Sequence, residues 1–162
     1  MSKALKSLIL AISMCCLVDT ANATPIDDAI AAHGRGDYAQ SLKILRPLAE
    51  QGNARAQSNL GVMYNNGQGV TQDFKEAVKW FGLAAADGVA IAQFDLGLMY
   101  AIGEGVTQDY ASAHMWFDLA SSAGNANGAK TRDEIAKKMT PLQIEKAQEM
   151  ARKCQERNFK GC

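Results

Sequence analysis

Apolar side chains recur along this chain at helical spacing. Phe74, Ala77, Phe81 and Ala84 fall at i, i+3, i+7 and i+10, and Tyr110, Ala113, Phe117 and Ala120 repeat the series, so each set draws one apolar stripe down a helix. Polar residues mark where such helices begin. Asp37-Tyr-Ala-Gln40 and Asp73-Phe-Lys-Glu76 carry the capping-box pattern, in which the acid takes an early backbone N–H and the fourth residue reaches back. Thr24-Pro25 and Thr140-Pro141-Leu142-Gln143 add an N-cap followed by proline at the first helical position. Glycines mark the stops. The signals predict helix pairs at about 25–33 with 37–51, 53–66 with 73–87, 89–102 with 109–123, and 126–139 with 141–157.

The pattern repeats. Displaced by 36 residues, Gly61–Gly88 falls on Gly97–Gly124 without a gap, and 15 of the 28 positions are identical, which chance does not give. The same displacement lays Asp37-Tyr38 on Asp73-Phe74, Gln57 on Gln93 and Leu60 on Leu96, with a loop before Asp37 three residues shorter, so a clipped first repeat precedes the two full ones. An αα-hairpin cannot bury its apolar face alone, and neighbours must stack into a continuous core. The expectation is an all-α fold: a short right-handed α/α solenoid of about eight helices, with repeats at about 24–52, 53–88 and 89–124 and a C-terminal capping pair over 125–162. The last pair reads as a cap because Arg132 stands in the place of Leu60 and Leu96, and Ala136 in that of Tyr64 and Tyr100. Its closing helix keeps a stripe at Ile144, Ala147, Met150, Ala151 and Cys154 against a strongly charged opposite side.

The first 23 residues do not fit this pattern. Lys3 and Lys6 precede an apolar run from Leu8 to Val18, and Ala21-Asn22-Ala23 supplies a small-x-small cleavage site, so residues 1–23 read as a signal peptide removed before Thr24. The run is too short to span a bilayer, and no later segment is apolar enough to act as a transmembrane anchor. Cys15 and Cys16 lie inside this leader and lack the small residues of a lipoprotein site. The expected location is the periplasm or the exterior, with 24–162 as one domain. That mature chain carries 15 basic and 16 acidic side chains, scattered along the sequence, which argues against nucleic acid as a partner. Two cysteines remain, Cys154 and Cys162, and an exported chain meets oxidants that let a disulfide persist. An intramolecular bond is the first expectation, with a linked dimer or free thiols as alternatives; a metal site would be half coordinated, having no nearby His.

Candidate chemistry is sparse. Gly67-Gln-Gly69-Val70 and Gly103-Glu-Gly105-Val106 lack the strand before and the Lys-Ser/Thr or third glycine after that a phosphate cradle needs, so they read as turns between helices. His114, Asp118 and Ser121 share a helix face, but His114 and Ser121 are about 10 Å apart along the axis at ~1.5 Å rise per residue, too far for proton transfer. A surface ion pair between His114 and Asp118 is expected instead, and His33, without a partner in sequence, reads as solvated. Trp80, Trp116, Phe81, Phe117, Met63 and Met99 recur with the repeat and read as core. Glu104 and Asp109 would make a carboxylate pair, yet Asp109 holds a capping position, and the matching pair one repeat earlier is Gln68 with Asp73. No catalytic residue, cofactor site or metal site is expected, and the chain is not read as an enzyme.

The run Ala-x-Ala-Gln-x-x-Leu-Gly-x-Met-Tyr-x-x-Gly-x-Gly-Val-x-x-Asp-(Phe/Tyr)-x-x-Ala-x-x-Trp-Phe-x-x-Ala-x-x-x-Gly, present at Ala54–Gly88 with its second copy at Ala90–Gly124, resembles the Sel1-like repeat, a relative of the TPR. The closing Met139–Gln148 also resembles tails of bacterial members. The resemblance implies a superhelix whose concave face holds another protein or peptide, as an adaptor or, at the bacterial cell envelope, in wall-associated assemblies. A second branch of exported, cysteine-rich Sel1-like proteins is linked to penicillin binding and peptidoglycan. There a cysteine pair staples every repeat, whereas this chain has no cysteine between Cys16 and Cys154. A partner surface is expected on the first helix of the third unit. Ile91, Phe94, Leu98 and Ile102 gather on the side opposite Ala92, Leu96 and Tyr100. The matching residues one repeat earlier are Arg55, Ser58, Val62 and Asn66, and one later Asn127, Lys130, Glu134 and Lys138, so the stripe is local. With Arg55 and Val62 it would form an apolar floor edged by polar groups, unless a loop, the tail or a second copy covers it.

Overall fold

The structure, a computed structural model, describes residues 24–162, and among these it has eight helices and no strand. They are α1 (Pro25–Gly34), α2 (Tyr38–Glu50), α3 (Ala54–Asn66), α4 (Phe74–Ala86), α5 (Ala90–Ile102), α6 (Tyr110–Ser122), α7 (Gly128–Ala136) and α8 (Pro141–Glu156). The leader, with Cys15 and Cys16, lies outside the described residues. Each helix from α1 to α6 packs on the next, which is the one-dimensional stacking of a solenoid.

Local chemistry explains the boundaries. Asp37 accepts from the Gln40 N–H at 3.0 Å, Asn53 from the Ala56 N–H at 3.0 Å, and Asp73 from the Lys75 and Glu76 N–H groups at 2.9 and 3.1 Å. The reciprocal arm expected from Glu76 is not made, because its carboxylate takes Lys79 at 3.1 Å instead. Full boxes form at Thr24 with Asp27 and at Thr140 with Gln143. Helices α3 and α5 stop at left-handed glycines, Gly67 at φ 67° and Gly103 at φ 83°, where any side chain would be strained.

The residues shared by the two full repeats have shared jobs. Gln57 Nε2 donates to the Ala49 carbonyl at 3.1 Å, and Gln93 Nε2 to that of Ala85 at 3.2 Å, tying each first helix to the end of the preceding second helix. Gln72 and Gln108 cap the Asn65 and Ala101 carbonyls at 2.7 and 2.8 Å. A Cβ on Gly61 would sit 2.6 Å from the Phe81 ring, and one on Gly97 2.7 Å from that of Phe117, so glycine is what lets the aromatic ring of the second helix touch the backbone of the first.

Three apolar clusters run along the stack. Leu45, Leu60, Met63 and Trp80 form one; Phe81, Leu96, Met99 and Trp116 form the next; Ala113, Phe117 and Ile135 form the third. Tyr64 packs against both the first and the second, and Tyr100 against both the second and the third, so these tyrosines make the core continuous. The cap departs from expectation. Helix α7 is shorter than 126–139, beginning after a turn at Asn125–Asn127 and ending before the extended Thr140 that precedes Pro141. Helix α8 packs on α6 and not on α7 as a hairpin partner. Its buried Ala151 and Cys154 join the cluster of Met115 and Trp116, while α7 buries little beyond Gly128 and Ile135.

Candidate functional site

First helices of successive repeats lie side by side, and between α3 and α5 they leave a groove of about 230 Å³. Val62, Asn65 and Asn66 form one wall and Asp95, Leu98, Met99 and Ile102 the other, with Phe81 of α4 between them and Glu104 at one end. Leu98 is 36% exposed and Ile102 60%, large values for aliphatic side chains on a helix that also builds core.

The predicted stripe is split. Leu98, Ile102 and Val62 border the groove. Phe94 turns the other way and is half-buried against Phe117, ring centroids 5.4 Å apart, beside the cluster that receives α7. Ile91 is exposed but does not line the groove, and Arg55 is held at 3.6 Å by Asp27 of α1. The floor is therefore narrower than the periodicity implied and leans towards α3.

Asp95 was not among the residues singled out by periodicity. Its carboxyl is half-buried in the groove, makes no hydrogen bond or ion pair among the described residues, and is pushed by burial up to about 6. A signal was available: Asp95 lies four residues after Ile91 and three before Leu98, an acid set into an apolar stripe.

The other candidates resolve as structure. His114 does not form a surface ion pair with Asp118. It is buried, its Nδ1 has no partner, and burial lowers its pKa against the opposing pull of the Asp118 charge. Asp118 instead takes Arg132 at 2.6 Å, which also reaches Asp133 at 2.9 Å; hydrogen bonding to both carboxylates raises the pKa of the Arg132 guanidinium further. An arginine in the place of a core leucine thus docks α7 onto α6. His33 is not simply solvated: its Nε2 pairs with Gln68 Oε1 at 2.9 Å and its ring meets Tyr38 edge-on. Asp109 caps α6 through the Ala111 N–H at 3.0 Å and accepts from the Ser112 hydroxyl at 2.6 Å. The Gly105 loop is packed so closely on the start of α4 that a Cβ there would lie 2.3 Å from the Phe74 carbonyl oxygen, which fits a structural turn. Cys154 and Cys162 are joined in a disulfide, Cα atoms 5.5 Å apart.

The family model described as "Sel1 repeat" matches residues 54–89 and 90–125, the two copies found by internal alignment. The chain carries two Sel1 repeats. The chain is similar to the crystal structure of a protective antigen of uropathogenic Escherichia coli strains with an SLR fold, at 30% identity and a TM-score of 0.77 over 85% of this chain and 32% of that one. It is also similar to a Sel1 repeat protein from Oxalobacter formigenes, at 29% identity and a TM-score of 0.65 over 68% of this chain and 46% of the other. It therefore spans about a third and under half of the lengths of these proteins. No curated protein sequence matches it. Sel1 repeats generally serve as scaffolds for protein–protein interaction. Among the described residues no helix is long and apolar enough to cross a membrane.

Proposed function

We propose that this Sel1 repeat protein is a non-catalytic scaffold of the bacterial cell envelope, exported to the periplasm or beyond, and that it holds a partner protein or peptide in the groove between α3 and α5. The observation that carries this reading is the exposure of Leu98 and Ile102 opposite Val62, apolar side chains that the repeat pattern does not require at a surface. Burying such side chains is worth roughly 1.5 to 3 kcal/mol each, enough for a few of them to anchor a segment. The Cys154–Cys162 disulfide supports an oxidising location, and the Lys3/Lys6, Leu8–Val18 and Ala21-Asn22-Ala23 sequence supports export with cleavage before Thr24.

The test uses Leu98→Ser with Ile102→Ser, because Phe94 has a packing role against Phe117. The double variant should keep the helical circular-dichroism signal and melting temperature within a few degrees, while crosslinked capture of envelope proteins by the wild type is lost. Unchanged capture would place the partner surface elsewhere. Nitrocefin turnover by the purified protein would overturn the non-catalytic reading, and a mass starting at Met1 in the released protein would overturn the export reading.

A further inference from the structure

The electrostatics of the α3–α5 groove are one-sided. Among the described residues Asp95 has no counter-charge, and Glu104 stands at the same groove. Both first helices also end there, at Asn66 and Ile102, so the negative ends of two helix dipoles point to the same place. Asn65 adds an Oδ1 that meets no donor among the described residues. Among the described residues no basic side chain lines the groove, and Arg55, Lys79 and Arg132 are each paired with another acid, Asp27, Glu76 and Asp118.

The acid is also foreign to the repeat. At the place of Asp95, α3 has Asn59, whose amide turns back to its own helix and donates to the Arg55 carbonyl at 2.7 Å, and α7 has Thr131. Stacking the solenoid needs no charge at this position. A half-buried carboxylate without a donor costs free energy that a cation arriving from outside would recover.

We propose that the groove takes a segment of a partner protein that lays a lysine or arginine against Asp95 and aliphatic side chains against Val62, Leu98 and Ile102. The proposal deepens the reading above and rests on it. A basic side chain matches both properties of the site, since its methylene stem packs on apolar walls while its head reaches the carboxylate. A metal ion does not match, because among the described residues no group of three or more His, Cys, Asp and Glu is placed to hold one. An acidic or phosphorylated segment would meet Asp95, Glu104 and two helix C-termini of its own sign.

The experiment is selection from a random-peptide phage library on protein purified from expression of the full sequence, in parallel on Asp95→Asn and on the Leu98→Ser/Ile102→Ser variant. Wild type should enrich peptides with a Lys or Arg set among aliphatic residues. Asp95→Asn, which keeps the side-chain shape, should lose the basic preference and keep the aliphatic one, and the double Ser variant should enrich neither. For one selected peptide, changing its basic residue to Met should weaken binding to wild type at least tenfold, and binding to Asp95→Asn less than threefold. Enrichment without a basic residue, or a basic preference that survives Asp95→Asn, would overturn the cation proposal while leaving the groove as a docking site. No enrichment by the wild type, or a dimer in sedimentation that Leu98→Ser/Ile102→Ser dissolves, would overturn both readings.

Discussion

Asp95 sits in surroundings that penalise its charge, and that has a measurable consequence without any partner. Its folded-state pKa of about 6 lies above the ordinary carboxylate value of 3.8. The unfolded chain therefore gives up this proton first as pH rises. Stability from this group is fully present below about pH 4 and is lost as pH climbs through 6. Asp95→Asn should accordingly melt at a higher temperature than wild type at pH 7.5, with the gap closing as pH falls from 6 to 4. A gap that is constant with pH would mean that the carboxyl titrates normally. His114 works in the opposite sense, because burial depresses its pKa: its contribution is present above the unfolded value of 6.5 and is lost as pH falls below it. The same place holds Val78 in α4 and Leu42 in α2. His114→Val should raise the melting temperature and remove the loss of stability between pH 7 and 5.5; equal losses in both proteins would refute the assignment. Helical periodicity alone revealed neither environment. Helical periodicity fixes which face a residue takes, but not which flank of that face a neighbouring helix closes, and that flank separates Asp95 from Phe94.

At the scale of the helix, the two full repeats were legible because their signals are local. Caps at Asn53, Asp73 and Asp109 and glycine stops at Gly67 and Gly103 act within one turn, so α3 to α6 begin and end within two residues of the predicted positions. The capping pair was read less well. Its α7 has no side-chain cap, and the pairing of α8 with α6 is settled by long-range packing of Ala151 and Cys154 with Met115 and Trp116. The helices also allow a sharper test of why the repeat keeps its glycines. Alanine is favoured over glycine in a helix interior by about 1 kcal/mol. Gly82, in α4, has nothing within 4 Å of a built Cβ, whereas Gly97, in α5, faces the fully buried Phe117 ring at 2.7 Å. Urea denaturation should show Gly82→Ala stabilised by about 0.5 to 1 kcal/mol. Gly97→Ala should be destabilised by about 1 to 2 kcal/mol as the clash outweighs propensity. Stabilisation of both would show that the Gly97–Phe117 contact yields easily.

At the scale of the whole molecule, stacking of neighbours makes stability a property of contacts between adjacent helices, and the carboxyl-terminal end has the least regular of them. Helix α8 is held to the stack through α6, and beyond it the chain folds back: Phe159 packs against the second cluster beside Gly88, with the Cys154–Cys162 bond closing the loop. Closing a loop of about nine residues stabilises by on the order of 2 to 3 kcal/mol. Because that constraint acts on the tail, its loss should be felt locally before it is felt globally. Replacing both cysteines by Ser should increase hydrogen exchange in α8 and in the amides after Glu156, and lower the global unfolding free energy by no more than that amount. The amides of α1 to α3 should keep their protection, since these helices pack chiefly on one another and on α4. Equal loss of protection from α1 to α8 would instead show one cooperative unit, in which the repeat interfaces at Tyr64 and Tyr100 couple the ends more tightly than nearest-neighbour stacking allows.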